Sequence, residues 1–395
     1  MPEIQPYLDI LPTLLTVLTI AFIITPLIGT IAQRFGFVDL PQAKRKRTDR
    51  SIATRIHTEE KLRIGGLAVL VPFVIVAFSQ MQTNPQISGL VWGLTILIIG
   101  GVIDDKYELS PSKQMLIQFI AALIAVLSGI TITGITLAGT ILDFNLLEQP
   151  LNFGLFVYNM VLPADLITII WILGIVNAIN WMSGIDAIGE LTVFLAAFST
   201  MLLSVRAGQI EIAILSGALA AGILGFVPFN FPPSKIMSGT AGTTGYGFIL
   251  AVLAVISGAK ITSALMLLSI PVIDMVWVMI YRFVKLKDTP FFKRPFVGGK
   301  VHLHHRLMGL GLNQSQALWL EISIISIIAI LAFAISGFSD NFVALIGIIA
   351  LLIVLFTVIS IVSKRRKSTE SIKKDEPPQP PMITDDPTPE QKYAY

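Results

Sequence analysis

Long apolar stretches separated by short polar segments recur along the chain as far as residue 362. A helix that crosses a bilayer needs about 20 mostly apolar residues. Eleven stretches approach that length, at 8–32, 66–81, 87–103, 114–130, 164–180, 191–205, 210–227, 244–257, 260–282, 316–336 and 342–362. The pattern therefore predicts an all-α integral membrane protein with about eleven transmembrane helices.

The composition supports a membrane protein. Of the 395 residues, 54% are hydrophobic and 13% are charged, whereas a soluble domain carries about 25% charged residues. A single soluble core stops growing at about 250–300 residues, so this much apolar surface is expected to face lipid. The chain contains no cysteine, which excludes disulfides, a thiolate nucleophile and Cys-ligated zinc.

Lysine and arginine concentrate in alternate loops when the eleven stretches are counted from an N-terminus outside the cell. On that count 26 of the 28 basic residues fall on one side, and only Arg206 and Lys260 fall on the other. The positive-inside rule then predicts a multi-pass protein of the cell (inner) membrane with its C-terminus in the cytoplasm. The first span lacks a preceding basic region, so we do not expect it to be a cleaved signal peptide.

Two segments outside the spans have distinctive compositions. The loop 131–163 has no lysine or arginine, and the alternation over 131–137 predicts a short extracytoplasmic β-hairpin. The segment 364–395 begins with a basic cluster and becomes rich in proline and acidic residues, which predicts a disordered cytoplasmic tail. The predicted organisation is therefore a membrane domain over 1–363 followed by this tail.

Five polar clusters fall on the predicted cytoplasmic side. They are Asp104 and Asp105 with Glu108; Asn177, Asn180, Asp186 and Glu190; the Gly/Thr-rich run 238–245; Asp274; and His302, His304, His305 and Arg306. Carboxylate and amide oxygens suit Mg²⁺, a glycine-rich turn before a helix offers N–H groups to an anion, and His and Arg donate to phosphate oxygens. Together these groups predict phosphoryl transfer between a soluble nucleotide and a lipid.

Each cluster also has a structural interpretation. An acidic pair at a helix end is commonly an exposed turn, the Gly/Thr run could serve close packing, and histidines in a basic loop are often solvated. Asn177 and Asn180 could hydrogen-bond between helices. Asp274 differs, because an acid inside a span costs about 2.5–3.5 kcal/mol on insertion scales and needs a partner. We favour function because all five clusters share one face.

Short motifs occur in a fixed order between residues 8 and 362. They are Gly36-Phe37-Val38-Asp39-Leu40-Pro41 with His57 and Arg63-Ile64-Gly65-Gly66, Asp104-Asp105-Lys106-Tyr107-Glu108, the run from Asn177 to Asp186, Pro271-Val272-Ile273-Asp274, and His302-Leu303-His304-His305-Arg306. This set resembles the polyprenyl-phosphate N-acetylhexosamine-1-phosphate transferases, membrane enzymes that move a phospho-sugar from a UDP-sugar to a lipid phosphate and release UMP. The last motif is similar to the one found in the branch that transfers N-acetylglucosamine-type phosphates.

The resemblance implies roles for the matching residues. Catalytic roles fall to Asp104 and Asp105, which would position or deprotonate the acceptor phosphate. A metal ion, Mg²⁺ or Mn²⁺, would be held by Asn180, Asp105 and Asp274. The implied substrate-binding residues are Asn177, Asp186 at the uracil, Lys113 at a phosphate, and His302, His304, His305 and Arg306 at the diphosphate or sugar.

The chain departs from the family pattern at three positions. Ser183 replaces an acidic residue and Ala187 replaces a glycine in the motif that ends near Asp186. Thr240 stands where the family has a metal-binding aspartate. Either the remaining groups hold the metal, or metal affinity is weak, or the chain is an inactive relative. We favour the first interpretation because the other clusters remain.

The resulting hypothesis is an enzyme that transfers an N-acetylhexosamine-1-phosphate, in first place GlcNAc-1-phosphate, from a UDP-sugar to undecaprenyl phosphate at the cytoplasmic face. This step would initiate a cell-envelope polysaccharide. Alternatives are a phospho-MurNAc-pentapeptide transferase-like enzyme, a secondary anion transporter and an inactive homologue. The membrane and both substrates are the expected partners, a homodimer is common in the family, and no nucleic-acid partner is expected.

Overall fold

The computed structural model describes residues 4–41, 59–80, 84–137, 140–152, 154, 157–258, 261–297, 299, 301–335 and 341–375. His57 and the basic run that begins at Lys44 lie outside these residues. The described helices, in chain order, are α1 Gln5–Phe35, α2 Leu67–Gln80, α3 Pro85–Tyr107, α4 Pro111–Leu127, α5 Ala164–Met182, α6 Ile188–Arg206, α7 Ile210–Asn230, α8 Gly239–Ile256, α9 Ile261–Leu267, α10 Ser269–Lys285, α11 Leu303–Gly309, α12 Gln314–Ile335 and α13 Asn341–Asp375.

The predicted fold class, an all-α integral membrane protein, is confirmed. Within the described parts of the chain, eight helices are long and apolar enough to cross a membrane: α1, α3, α5, α6, α7, α8, α12 and the 343–363 part of α13. The apolar helices α2 and α4 are shorter, with 14 and 17 residues. Length and composition thus support eight of the eleven predicted spans directly, and the orientation of the termini stays a prediction.

The span predicted over 260–282 is not one continuous helix, because the segment forms the two helices α9 and α10. The chain breaks at Leu268, whose φ of −102° and ψ of 13° are not helical. Pro271 explains the break, since its ring clashes with the carbonyl four residues earlier and it has no N–H to donate there. Helix α10 therefore begins afresh at Ser269 and carries Asp274 in its second turn.

The loop 131–163 contains two antiparallel hairpins where one was predicted. They are formed by β3 Gly134–Leu137 with β4 Thr140–Asp143, and by β5 Asn145–Asn152 with β6 Val157–Pro163. The buried Asp165 carboxylate at the start of α5 accepts hydrogen bonds from Tyr158 Oη (2.7 Å), Val161 N (2.8 Å) and Thr131 Oγ1 (3.2 Å). This carboxylate ties the hairpins to the helical bundle.

Helix α8 lies inside the bundle, against α3 and α5. Close backbone contact makes this packing possible. A Cβ added at Gly101 in α3 would overlap backbone atoms of Ala241, and a Cβ at Gly66 would overlap backbone atoms of Gly242. Because small residues let these backbones approach, the first turn of α8 lies beside the last turn of α3.

The ends of α3 are set by local sequence. Asn84 accepts a hydrogen bond from the backbone N–H of Gln86 at 3.0 Å, and Pro85 occupies the first helical turn. At the other end Glu108 adopts a left-handed conformation with φ +48°, which terminates the helix. Asp104 and Asp105 consequently occupy the last turn, and α4 starts three residues after Glu108.

Helix α13 continues to Asp375 and so includes the first twelve residues of the predicted tail, 364–375. The added segment has no glycine or proline, and lengthening an existing helix avoids the cost of nucleation. Residues 376–395 lie outside the described part of the chain. The predicted boundary between membrane domain and tail at 363/364 does not coincide with a helix end, and disorder of residues 376–395 stays a prediction.

Candidate functional site

A cavity of about 1310 Å³ opens where α3 and α5 end and α8 begins. Residues 36, 38–40, 61 and 63, between α1 and α2, and residues 299, 302, 304 and 305 complete its wall. Of the predicted site residues, those that line it are Asp104, Asp105, Lys113, Asn177, Asn180, Asp186, His302, His304 and His305. Asp274 and Arg306 are not part of the lining. The structure thus brings together residues that are up to about two hundred positions apart in sequence.

The acidic pair at the end of α3 is bound to the first turn of α8. Asp105 accepts hydrogen bonds from the backbone N–H groups of Thr240 (2.8 Å) and Ala241 (3.3 Å). Asp104 Oδ2 accepts from the hydroxyl of Thr240 at 2.6 Å, and its Oδ1 accepts from Leu109 N and Gln114 Nε2. Because a helix N-terminus carries partial positive charge, it stabilises these buried carboxylates.

This arrangement corrects one expectation. The N–H groups of the Gly/Thr run were expected to meet a substrate anion, but Asp105 of the protein itself occupies two of them. Gly239 makes the approach possible, since its φ is +70° and a Cβ there would overlap the Asp105 carboxylate. The start of α8 is therefore an internal carboxylate cap in this structure.

The two asparagines of α5 make helix–helix hydrogen bonds, which is the structural interpretation considered above. Asn177 Nδ2 donates to Gln118 Oε1 in α4 at 2.7 Å. Asn180 Oδ1 accepts from the hydroxyl of Thr243 in α8 at 2.7 Å. Both side chains still border the cavity, so their substrate and metal roles stay predictions, although neither amide is free of protein partners.

The predicted metal ligands Asp105, Asn180 and Asp274 do not form a ligand set. Both Asp105 oxygens accept backbone N–H groups, Asn180 accepts from a hydroxyl, and Asp274 lies outside the cavity lining. Among the described residues, no group of three or more His, Asp or Glu side chains is arranged to hold a metal ion. The Thr240 hydroxyl also donates its hydrogen to Asp104, and it carries no negative charge to offer a cation. The residues present therefore do not fit the predicted ion.

Asp186 anchors a lysine that the sequence analysis did not single out. Its carboxylate accepts from Lys61 Nζ (2.5 Å), Ser234 Oγ (2.8 Å) and Ser234 N (3.0 Å). Burial raises the pKa of Asp186, but the hydrogen bonds from Lys61 and Ser234 outweigh it and the net pKa lies below its ordinary value. The carboxylate expected at the uracil thus binds protein groups, and it holds Lys61 at the cavity wall.

Breaking this buried pair should destabilise the protein. We expect Lys61→Met and Asp186→Asn each to lower the free energy of unfolding by about 3–5 kcal/mol, because each leaves an uncompensated buried charge. The double variant should recover part of the loss. Denaturant unfolding in detergent measures these differences, and fully additive losses in the double variant would contradict a direct pair.

The pH dependence of the same pair has a defined sign. Since the folded pKa of Asp186 lies below its ordinary 3.8, its stabilisation is fully present above about pH 4 and is lost as the pH falls through the lower folded pKa. The stability difference between wild type and Asp186→Asn should shrink over that acidic range. A difference that stays constant there would contradict the assignment.

Arg63 connects the segment between α1 and α2 to the end of α3. Its guanidinium donates to Asp39 Oδ1 at 3.0 Å and lies 3.8 Å from Glu108 Oε1, and it also donates to the backbone oxygen of Asp105 at 3.4 Å. Asp39 and Lys61 belong to the short antiparallel strands β1 Val38–Asp39 and β2 Lys61–Leu62. In the sequence, Asp39 and Arg63 stand out only because each lies near a glycine motif. That pattern does not predict which charged residues pair.

The three histidines before and within α11 lie close together. His302 Nδ1 is 2.7 Å from Asp274 Oδ2, and the His302 and His304 rings stack with centroids 5.7 Å apart. Burial, followed by the charges of His305 and His302, lowers the pKa of His304 well below its ordinary value. The lowered pKa disfavours the charged form of the His304 ring, and its role at the diphosphate or sugar stays a prediction.

Arg306 is turned away from the cavity, which corrects its expected substrate role. It donates to Val301 O (2.7 Å) and to Ser360 Oγ in α13 (2.8 Å). Its guanidinium lies 4.9 Å from the centroid of the Trp277 ring in α10. Arg306 therefore holds α11 against the neighbouring helices.

The middle of the chain, which carries most of the cavity, matches a known family. Residues 87–258 match glycosyl transferase family 4. A Bacillus subtilis (strain 168) protein named probable undecaprenyl-phosphate N-acetylglucosaminyl 1-phosphate transferase is 30% identical over 316 residues, which cover 78% of each chain. The chain belongs to glycosyl transferase family 4. This family 4 protein is accordingly a glycosyl-1-phosphate transferase, and the resemblance inferred from its motifs is confirmed.

Two other relatives of this family 4 enzyme are named for different activities. The decaprenyl-phosphate N-acetylglucosaminephosphotransferase of Mycolicibacterium smegmatis is 25% identical over 343 residues, 78% of this chain and 77% of the relative. The phospho-N-acetylmuramoyl-pentapeptide-transferase of Streptococcus uberis is 25% identical over 266 residues, 63% of this chain and 73% of the relative.

The family match covers only part of the site. The matched residues run from the first turn of α3 to the end of α8, and they include the acidic pair, the two asparagines and Asp186. Lys61 and the histidine segment fall outside the matched residues. Family 4 enzymes are phosphotransferases, for which a divalent metal is typical. The departure at Thr240 therefore affects a position that the family uses to bind this metal.

Proposed function

We propose that this family 4 enzyme transfers GlcNAc-1-phosphate from UDP-GlcNAc to undecaprenyl phosphate, or a similar polyprenyl phosphate, and releases UMP. The observation that carries the proposal is the polar cavity at one end of apolar helices, where lysines, histidines and the acidic pair meet. A soluble nucleotide and a membrane-embedded phosphate can both reach such a place. The names of the relatives with N-acetylglucosamine activities support this donor and acceptor.

In the proposed reaction, an acceptor phosphate oxygen forms a bond to the β-phosphorus of the UDP-sugar. The bond from that phosphorus to the bridging oxygen of UMP breaks, and UMP leaves with the electron pair. A phosphate monoester has a second pKa near 6, so the acceptor is already largely dianionic at neutral pH. It needs no strong base, and correct positioning contributes most of the rate.

The acidic pair therefore has a positioning role in this proposal. Asp104 and Asp105 hold the first turn of α8 through three hydrogen bonds, and so they shape the floor of the cavity. Lys61 and Lys113 line the same cavity and supply positive charge to phosphate oxygens. No step is assigned to Mg²⁺ or Mn²⁺, because the predicted ligands do not meet.

The surface of α4 supports a path for the prenyl chain. Lys113, Leu116 and Ile120 share one face of this helix, since their spacings of three and four residues match the helical period. Leu116 and Ile120 are exposed. A lipid phosphate bound at Lys113 would place its apolar chain along these side chains, between the cavity and the membrane.

The direct test is UMP release by the purified full chain in detergent with undecaprenyl phosphate. We expect product with UDP-GlcNAc, dependent on the lipid, in parallel assays that contain Mg²⁺, Mn²⁺ or EDTA. Product only with UDP-MurNAc-pentapeptide would instead favour the activity named for the Streptococcus uberis relative. Absence of product with every UDP-sugar would contradict the proposal and favour an inactive homologue, and solute uptake by liposomes without UMP release would favour a transporter.

We also propose that the cavity faces the cytoplasm from the inner membrane. The chain has no cysteine, so single-cysteine variants at the exposed positions Ser112 and Gln149 report the two sides without background. A membrane-impermeant maleimide should label Gln149→Cys in intact cells and Ser112→Cys only after permeabilisation. The reverse result would contradict the orientation.

A further inference from the structure

Asp274 is buried in α10, yet its carboxylate is fully engaged with the segment that carries the histidines. Oδ2 lies 2.7 Å from His302 Nδ1, and Oδ1 accepts from the backbone N–H of Leu303 at 2.8 Å. Asp274 is 3% exposed and His302 is 8% exposed. The pair thus joins two segments, 28 residues apart in sequence, at the edge of the cavity.

The contact determines which ring nitrogen is available to a ligand. An ionised carboxylate only accepts hydrogen bonds, so His302 Nδ1 carries the hydrogen that points to Asp274. His302 lines the cavity and Asp274 does not. The nitrogen left for the cavity is therefore Nε2. Because Leu303 N holds the second carboxylate oxygen, the carboxylate cannot rotate away from the ring.

In the described part of the chain, the neighbouring charged groups do not compete for this carboxylate by hydrogen bonding. Arg282, on the same helix, donates to Pro295 O and lies over the Trp181 ring. Arg306 donates to Val301 and Ser360. Glu321 in α12 is buried and lies close enough to interact electrostatically with Asp274. Asp274 thus has both oxygens committed to the start of α11, an arrangement that suits neither a metal ligand nor a substrate-binding acid.

We propose that Asp274 is a positioning residue that orients His302 so that Nε2 binds a phosphate oxygen of the UDP-sugar. This inference rests on the proposed function and identifies one group that would recognise its donor. A phosphate oxygen is an acceptor, so Nε2 must present a hydrogen to it.

A double-mutant cycle tests the proposal. His302→Asn keeps a donor near Nδ1 but lacks Nε2, and Asp274→Asn keeps size while removing the carboxylate. We expect each single variant to lower kcat/KM for the UDP-sugar about 10–100-fold, the range typical for partners that orient a functional histidine. Asp274→Asn should cause little further loss in the His302→Asn background. Independent, multiplicative losses would overturn the proposal.

Asp165→Asn is the matched control for removing a buried carboxylate. Asp165 is also buried, and it accepts three hydrogen bonds, from Thr131, Tyr158 and Val161, outside the cavity. Its effect on stability should resemble that of Asp274→Asn, and its effect on kcat/KM should combine multiplicatively with that of His302→Asn. If Asp165→Asn and His302→Asn were coupled as strongly as Asp274→Asn and His302→Asn, general destabilisation would explain the result and the proposal would be overturned.

A spectroscopic readout separates this inference from the proposed function. The chain has only four histidines, so ¹⁵N-labelled histidine NMR can resolve the His302 ring without any turnover. We expect hydrogen on Nδ1 in the wild type and loss of this preference in Asp274→Asn. If wild type has no transferase activity, the proposed function fails while this result still decides the pair; an unchanged His302 signal in Asp274→Asn overturns the pairing itself.

Discussion

Gly101→Ala should lower transfer at least about 100-fold and lower the free energy of unfolding by more than about 2 kcal/mol. The added Cβ would overlap the backbone N and Cα of Ala241, which cannot move unless α8 moves. Overpacking of this kind costs about 1–3 kcal/mol. Separation of α3 from α8 would also stretch the hydrogen bonds of Asp104 and Asp105 to Thr240, each worth about 1.5–3 kcal/mol.

Activity should fall at least about 100-fold in this variant, since a displacement of 1 Å in a positioned site has that effect. Gly174→Ala in α5 is the matched control, because a Cβ there meets no atom within 4 Å. That change should be neutral or stabilise by about 0.5–1 kcal/mol. Thermal unfolding in detergent and UMP release measure both variants, and wild-type behaviour of Gly101→Ala would contradict the close α3–α8 contact.

Thr240→Asp should make the stability of the protein depend on a divalent cation. The Thr240 hydroxyl donates to Asp104 at 2.6 Å, and its N–H donates to Asp105. An aspartate there would remove the hydroxyl donor and add a third carboxylate beside two others. In EDTA we expect a loss of about 3 kcal/mol, the upper value for a hydrogen bond to a charged group. Mg²⁺ should restore stability by bridging the carboxylates.

Thr240→Asn is the matched control for this prediction, because it has the shape of aspartate without the charge. Its unfolding temperature should be the same in EDTA and in Mg²⁺, as should that of the wild type. The measurement is thermal unfolding across a Mg²⁺ titration, without substrates. An equal response of wild type and Thr240→Asp would contradict the view that Thr240 replaces a charged ligand by a hydrogen-bond donor.

Much of the fold was predictable because hydropathy is a local property of the chain. Apolar length identified the eight long helices, and the alternation at 131–137 identified the first hairpin. The second hairpin was missed because Pro150 and the polar residues of β5 weaken the strand signal. The break at Leu268 had a visible cause in Pro271, but continuous hydropathy across 260–282 obscured it.

The site was predictable as a set of residues, though not as a set of contacts. Spacing and motif order identified Asp104, Asp105, Asp186 and the histidines, and most of them line one cavity. Their partners came from distant segments: Lys61 for Asp186, and Asp274 for His302. No periodicity relates such positions, so only the folded chain reveals them.

By itself, the sequence determined that the protein lies in a membrane, belongs with the glycosyl-1-phosphate transferases and carries its polar residues in a few short clusters. The cost of burying polar groups in lipid acts on each segment separately, so hydropathy and polar clusters can be identified in the sequence alone. The tertiary structure decided that the start of α8 binds the acidic pair, that Arg306 packs against α13 and that Asp274 contacts His302. These outcomes depend on how helices approach one another, because a hydrogen-bonding group takes whichever partner packing brings within reach.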